Sequence, residues 1–444
     1  MLFIILLFPL LFLACGEAEL KIHDEVYEQN QELSNNYWLL RAYFYHPERI
    51  KEYEKYKGME VDSMYKSLED YFCGANNSYC YRYTYYLPPK KSDDKINDIE
   101  NTKKYYSFGF ERDRVVNNGE LVDTLIVSAV YPISPAANAG LKNHDKLLSA
   151  NEIPMIGANA VAYLKNDDQF DSSTVFTVLR NGKLETLPPM QKKEVPKPTV
   201  YLDSLEDIPF ITVTEYKVST NNPNGTYYEF KKYLQEIKGA KTAIMDLRNN
   251  GGGSIWHCTA MAAELVPLNK ELIYDVQHLY DDKRGNVIDT SHIFANNYLK
   301  QEGAGINMKW IILMNNGSAS CAERFIAAVK SGRPETQLIG QTSYGKGIGQ
   351  IYTKTYLGGL AYITSLQTYY PNGETFHNVG IKPDIQADSK DIYDKAMKTA
   401  QGFSLAKRSS VSIRPETLPP ERLAENIEPG AHRRIEMPLF HQWE

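Results

Sequence analysis

From Val200 to about Ala400 short apolar runs alternate with amphipathic stretches, and this alternation restricts the chain to an α/β core. Phe210-Ile211-Thr212-Val213 reads as a strand and Tyr227 to Lys238 as an amphipathic helix. Thr242 to Leu247 and Trp310 to Met314 read as buried strands. Each of these two runs straight into a turn of glycines or small residues, and a third glycine-rich turn follows at Gly340 to Gln350.

The three turns carry the chemistry. The first is Asp246-Leu247-Arg248-Asn249-Asn250-Gly251-Gly252-Gly253. Successive glycines let the backbone turn sharply and approach a ligand, and their N–H groups can face an anionic oxygen. Taken alone, the run fits a plain strand-to-helix turn equally well. The second is Asn315 to Glu323, leading into a helix over Arg324 to Lys330. A hydroxyl at such a junction stands beside helix N-terminal N–H groups. Ser318 and Ser320 both qualify, and one of them is expected to cap the helix.

Two readings compete for the third turn. Gly340 to Lys346 fits the phosphate loop G-x-x-x-x-G-K. However, Gly347 stands where a Ser or Thr must ligate magnesium, and Gln350-Ile351-Tyr352-Thr353 reads as strand rather than helix. A lysine general base fits better. To accept a proton from serine, Lys346 must be neutral, and burial among apolar atoms favours that form. In an extended stretch Lys346, Ile348 and Gln350 share a face, so the Gln350 amide can orient the amine without adding charge. His257 offers a Ser-His alternative, but a lone histidine is more often structural.

The flanks differ in character. Met1 to Ala14 is almost wholly apolar and runs into Cys15-Gly16, so residues 1–15 read as a lipoprotein signal with Phe12-Leu13-Ala14-Cys15 as lipobox and Cys15 as the lipidation site; an ordinary cleaved signal is the alternative. Either way the mature chain is expected to be exported, which permits a Cys73–Cys80 disulfide; two free thiols are the alternative. Cys258 and Cys321 are expected as small buried residues, with redox sensitivity as the alternative. Residues 16–104 read as a helical N-terminal region ending in a linker over Lys90 to Lys104, and 401–444 as a disordered tail. A formal net charge of -6 gives no electrostatic case for nucleic acid. No internal run is long and apolar enough to cross a bilayer.

Residues 105–195 resemble a PDZ domain. Strand-like runs at Tyr105–Phe110, Leu121–Tyr131 and Thr174–Arg180 enclose Ser134 to Leu141, an Asp145-Lys146-Leu147-Leu148 strand and a helix over Ile156 to Lys165. The resemblance puts Phe108-Gly109-Phe110 at the carboxylate-binding loop, with an extended peptide adding to the sheet edge. A β-module with no peptide ligand is the alternative.

The three turns together resemble the C-terminal processing peptidases, or tail-specific proteases, whose pattern is D-L-R-x-N-x-G-G, then S-A-S-x-x-E, then F/Y-G-K-G-x-x-Q. Asp246 to Gly253, Ser318 to Glu323 and Tyr344 to Gln350 carry it, and Gly380 to Ile385 resembles the closing G-(I/V)-x-P-D motif. The resemblance covers about 105 to 390. It implies a crotonase-like and ClpP-like α/β core over 196–400, preceded by the PDZ domain. It makes Ser320 the nucleophile, Lys346 the base and Gln350 its partner, with Gly251 or Gly252 and Cys321 supplying the oxyanion hole. No metal or cofactor is implied. The expected partners are protein or peptide substrates met through their C-termini, and a bacterial membrane met through the lipid anchor only; Gly16 after the cysteine favours the outer membrane. A catalytically silent binding lipoprotein is the rival function, and an esterolytic or acyl-transferring use of the same residues is another.

Overall fold

The computed structural model describes residues 27–69, 83–117, 120–165, 170–281, 285–403 and 430–434. The signal segment, Cys15, Cys73 and Cys80 lie outside the described residues. The N-terminal part has helix α1 (27–43), α2 (Val61–Glu69), a short strand β1 (Tyr85–Leu87) and α3 (Pro89–Glu100). Leu33, Tyr37, Leu40, Met64 and Tyr65 bury an apolar face against Ile351, Ala361 and Ile363. The stretch expected as a linker is therefore α3. Its charged sequence hides a narrow stripe in which Ile96 and Ile99 pack with Tyr352, Leu360 and Tyr362.

The next module is an antiparallel sheet of β2 (Phe110–Asn117), β3 (Glu120–Val130), β4 (Lys146–Ala150), β5 (Phe176–Arg180) and β6 (Lys183–Thr186), in that spatial order. Helices α4 (Pro135–Asn138) and α5 (Gly157–Lys165) accompany it. Phe108 and Phe110 are both buried in its core. Gly109 between them has φ +78° and lies so close to Ser134 that a Cβ would stand 2.4 Å from that residue's Cβ, so only glycine fits. At the open edge, the Arg112 guanidinium crosses from β2 to the Tyr163 carbonyl of α5.

The α/β core has two sheets. The first runs β7 (Val200–Leu205), β8 (Ile208–Val213), β9 (Thr242–Asp246), β13 (Lys309–Met314), β14 (Gln337–Gly340) and β17 (Ile385–Gln386), parallel from β8 onward. Its central strands read as unbroken apolar runs because both faces are covered. Ala243, Met245, Trp310 and Ile312 face α6 (Thr226–Glu236), α7 (Ile255–Ala263) and α8 (Cys321–Gly332). Ile244, Ile311 and Leu313 face α9 (Ile392–Phe403).

The second sheet lies beyond α7 and α8. It contains β10 (Gly252–Ser254), β11 (Glu271–Asp281), β12 (Gly285–Phe294), β15 (Ile348–Lys354) and β16 (Leu360–Tyr369), with β1 pairing β16. The tail expected to be disordered contributes a further strand, β18 (Gly430–Arg434), parallel to both β10 and β15. Two flanking strand edges offer it main-chain pairing that needs no apolar pattern, which is why the sequence gives no sign of it.

Candidate active site

All three turns meet at one end of the core. The Asp246 carboxylate grips Arg248 bidentately, at 2.9 and 2.7 Å, and orders the start of the first turn. Asn249 and Asn315 then tie the first turn to the second, Nδ2 of Asn315 donating to Oδ1 of Asn249 at 2.9 Å. The Asn250 side chain accepts from the Gly252 N–H at 2.9 Å, and its carbonyl accepts from the Ala319 N–H at 2.9 Å. Of the two glycines expected at the oxyanion hole, Gly252 thus has its amide engaged, and Gly251 has no acceptor for its N–H among the described residues. Gly252 has φ +105°, and a Cβ there would stand 2.8 Å from the Ser320 Cβ and 2.9 Å from the Cys321 nitrogen.

The second turn separates its two serines. Ser318 is spent inside the fold: its hydroxyl donates to the Leu247 carbonyl at 2.8 Å and accepts from the Asn315 N–H at 3.0 Å. Ser320 sits at the N-cap of α8 with φ 58° and ψ -114°. That is a strained conformation for a residue with a side chain, of the kind found at functional turns. The Cys321 N–H that follows opens α8 and takes no acceptor among the described residues.

The third turn brings Lys346 to Ser320. Lys346 is 3 % exposed, with Nζ 3.5 Å from the Ser320 Oγ. The same Nζ donates to the Gln350 Oε1 at 2.9 Å, and Gln350 Nε2 donates to the Thr364 hydroxyl at 3.3 Å. Gln350 is fully buried, and a bulge between Gly349 and Gln350 re-aims the strand at this point. Beside these groups is a pocket of about 10 Å³, roughly room for one water, whose walls include Ile255, Ile348, Leu366 and Phe376. Arg324 also lines it, its charge met by Asp275 at 2.6 and 2.9 Å.

Two groups to which sequence reasoning assigned no role complete the arrangement. Glu323, one turn into α8, accepts from the Ser320 N–H at 2.9 Å, the Gly345 N–H at 2.6 Å, the Lys346 N–H at 2.8 Å and the Ser343 hydroxyl at 2.5 Å. Burial pushes its carboxyl pKa up, and those four hydrogen bonds oppose the rise. Its acidic place in the first turn of a helix was a visible signal; its reach to the lysine loop was not. The second is Tyr83 from the N-terminal part. Its ring centre lies 4.6 Å from the Lys346 Nζ, and its carbonyl accepts from the Thr364 hydroxyl at 3.3 Å. No local pattern marks it.

One expectation holds and one is corrected. His257 is engaged elsewhere: Nδ1 accepts from the Tyr227 N–H at 3.0 Å, and burial pulls its pKa down to about 4. A neutral buried histidine stabilises the fold above its unfolded pKa and loses that contribution as acid protonates the unfolded chain first. Between the ordinary value of 6.5 and about 4, stability is expected to fall by about 1.4 kcal/mol per pH unit from this residue. Urea midpoints at pH 7 and pH 5 check this, and an equal pH slope in His257→Gln would contradict it. Cys258 and Cys321 are buried as expected but are joined in a disulfide. Their separation of 63 residues gave the sequence no means of pairing them.

Residues 207–387 match the peptidase family S41. The chain is 24% identical over 362 residues to a protein of Staphylococcus aureus (strain COL) named "Probable CtpA-like serine protease", a match covering 80% of this chain and 64% of that protein. A protein of the same name from Staphylococcus haemolyticus is 24% identical over 267 residues, covering 60% of this chain and 50% of that one. The chain thus spans a little under two thirds of the length of the first of these relatives. Among solved structures, the photosystem II D1 C-terminal processing protease has 18% identity and a TM-score of 0.43, covering 81% of this chain and 93% of its own. Mature CPAF has 14% identity and a TM-score of 0.41, covering 87% and 99%.

Proposed function

Since residues 207–387 match peptidase family S41, we propose that the protein is a serine endopeptidase with Ser320 as nucleophile and Lys346 as general base. The observation that carries this reading is a buried amine 3.5 Å from a strained serine hydroxyl, steadied by an uncharged amide rather than a carboxylate. A protein interior disfavours the charged ammonium form and so suits a lysine that must take up a proton. Ser320 Oγ attacks the scissile carbonyl as its proton passes to Nζ. The N–H groups of Gly251 and Cys321 receive the oxyanion. Collapse to the acyl-enzyme expels the amine, which takes the proton back from Nζ, and water then repeats the cycle to release the acid. The pocket beside Ser320, small and largely apolar, suits a small uncharged side chain ahead of the cut bond.

The module over 105–195 serves in this reading as a PDZ domain that captures protein C-termini. Support comes from the open edge of β2 and the Gly109 turn at its start. A docked tail displaces the Arg112 guanidinium from the Tyr163 carbonyl. Export and anchoring through Cys15 belong to the same proposal. Among the described residues no helix is long and apolar enough to cross a membrane.

The test is cleavage of an unfolded protein and labelling by a fluorophosphonate. Wild type is expected to do both, and Ser320→Ala neither. Cleavage that survives Ser320→Ala sinks the nucleophile. A folded wild type that takes no label and cuts nothing points to a binding protein instead.

A further inference from the structure

The Cys258–Cys321 disulfide joins the two backbone segments that the oxyanion site needs. Cys321 opens α8 immediately after Ser320. Cys258 lies in the first turn of α7, which follows Gly251 to Ser254 without a break. The bridged Cα atoms are 5.9 Å apart, and the two residues are 0% and 1% exposed. The same segments touch again at Gly252, where even a methyl group would come within 2.9 Å of the Cys321 nitrogen. Little room is left for α8 to shift toward β10, and the covalent link keeps it from shifting away.

The site also accommodates the reduced pair. The Ser254 carbonyl lies 3.1 Å from the Cys321 sulfur and the Ile255 carbonyl 3.3 Å from the Cys258 sulfur, so each free thiol has an acceptor within reach. Cys321 lines the pocket beside Ser320, which has room for about one water, so a dithiol reaches the bridge only when this end of the core opens locally.

We propose that this disulfide is a positioning element for the oxyanion site, so that turnover depends on its oxidised state. The inference rests on the Ser320–Lys346 reading. Reduction requires a dithiol. One of its thiolates attacks a bridge sulfur and expels the other cysteine as thiolate, giving a mixed disulfide. The second thiol then resolves that bond. Cys258 and Cys321 gain two electrons and two protons, and the dithiol leaves as its own disulfide. The freed α8 terminus lets the Cys321 N–H drift from the Gly251 N–H. A misplaced donor weakens transition-state binding and leaves ground-state peptide binding nearly untouched.

The experiment measures kcat and KM on a fluorogenic peptide for the full chain, oxidised, reduced with dithiothreitol and reoxidised, counting thiols by alkylation and mass spectrometry. Reduction is expected to lower kcat by about ten- to a hundredfold with KM unchanged, reversibly. Cys258→Ala together with Cys321→Ala is expected to hold the reduced value with or without dithiothreitol, and circular dichroism confirms its fold. Wild type with both thiols alkylatable and full kcat overturns the proposal. A reduction that raises KM alone, or that acts only by unfolding the chain, overturns it as well. An oxidised chain that neither cleaves nor takes a fluorophosphonate overturns the underlying peptidase reading and this inference with it.

Discussion

Lys346→Ala is expected to lower kcat by about 10³- to 10⁴-fold on a peptide substrate while KM stays near the wild-type value. The amine stands 3.5 Å from the Ser320 hydroxyl, and in the proposed mechanism it acts on the proton rather than on substrate binding. Its removal therefore costs transition-state stabilisation alone. Lys346→Arg separates this role from mere filling of space. A guanidinium keeps its proton at any accessible pH, so arginine is expected to be no better than alanine. Arginine can still donate to the Gln350 carbonyl that now receives Nζ at 2.9 Å, and thermal unfolding reports whether the larger, always charged side chain is tolerated. Steady-state kinetics with thermal unfolding as control decide the matter. An arginine variant with a tenth or more of wild-type kcat would remove Lys346 from the mechanism.

The second large effect belongs to a fully buried carboxylate, Glu323. Glu323→Ala leaves three buried N–H donors and one hydroxyl without their acceptor, at an expected cost of about 3–5 kcal/mol in urea unfolding. Activity should fall with it, because one carboxylate holds both the serine turn and the lysine turn. Glu323→Gln keeps the shape but offers one oxygen in place of two, and its NH₂ faces N–H donors. An intermediate loss is expected. Unchanged urea midpoint and unchanged kcat in the alanine variant would show that the two turns are held by other contacts.

The sequence pattern was most informative where structure is local. Thr242 to Asp246 and Trp310 to Met314 are apolar without alternation because both faces are covered, and they read as buried strands. The glycines and small residues after them read as turns for the same reason: their backbone requirements are written residue by residue. The proximity of Ser320, Lys346 and Gln350 came from motif resemblance. What did not show depends on contacts across long separations. The Glu323 carboxylate reaches residues 343–346, Cys258 meets Cys321, and Tyr83 lies over Lys346. Helix α3 was missed for another reason: a two-isoleucine stripe among charges gives too weak a period to separate a packed helix from a linker.

Tyr83 bears on where this molecule can be divided. Strand β1 and the Tyr83 carbonyl are stitched into β16 through Leu360–Tyr362 and Thr364, so the segment before residue 105 is part of the unit that holds Lys346 and not a separable stalk. A fragment begun at residue 105 would uncover the amine it was meant to preserve. Excision of a minimal working protein has to start upstream, at the helices whose apolar faces are already committed to that sheet.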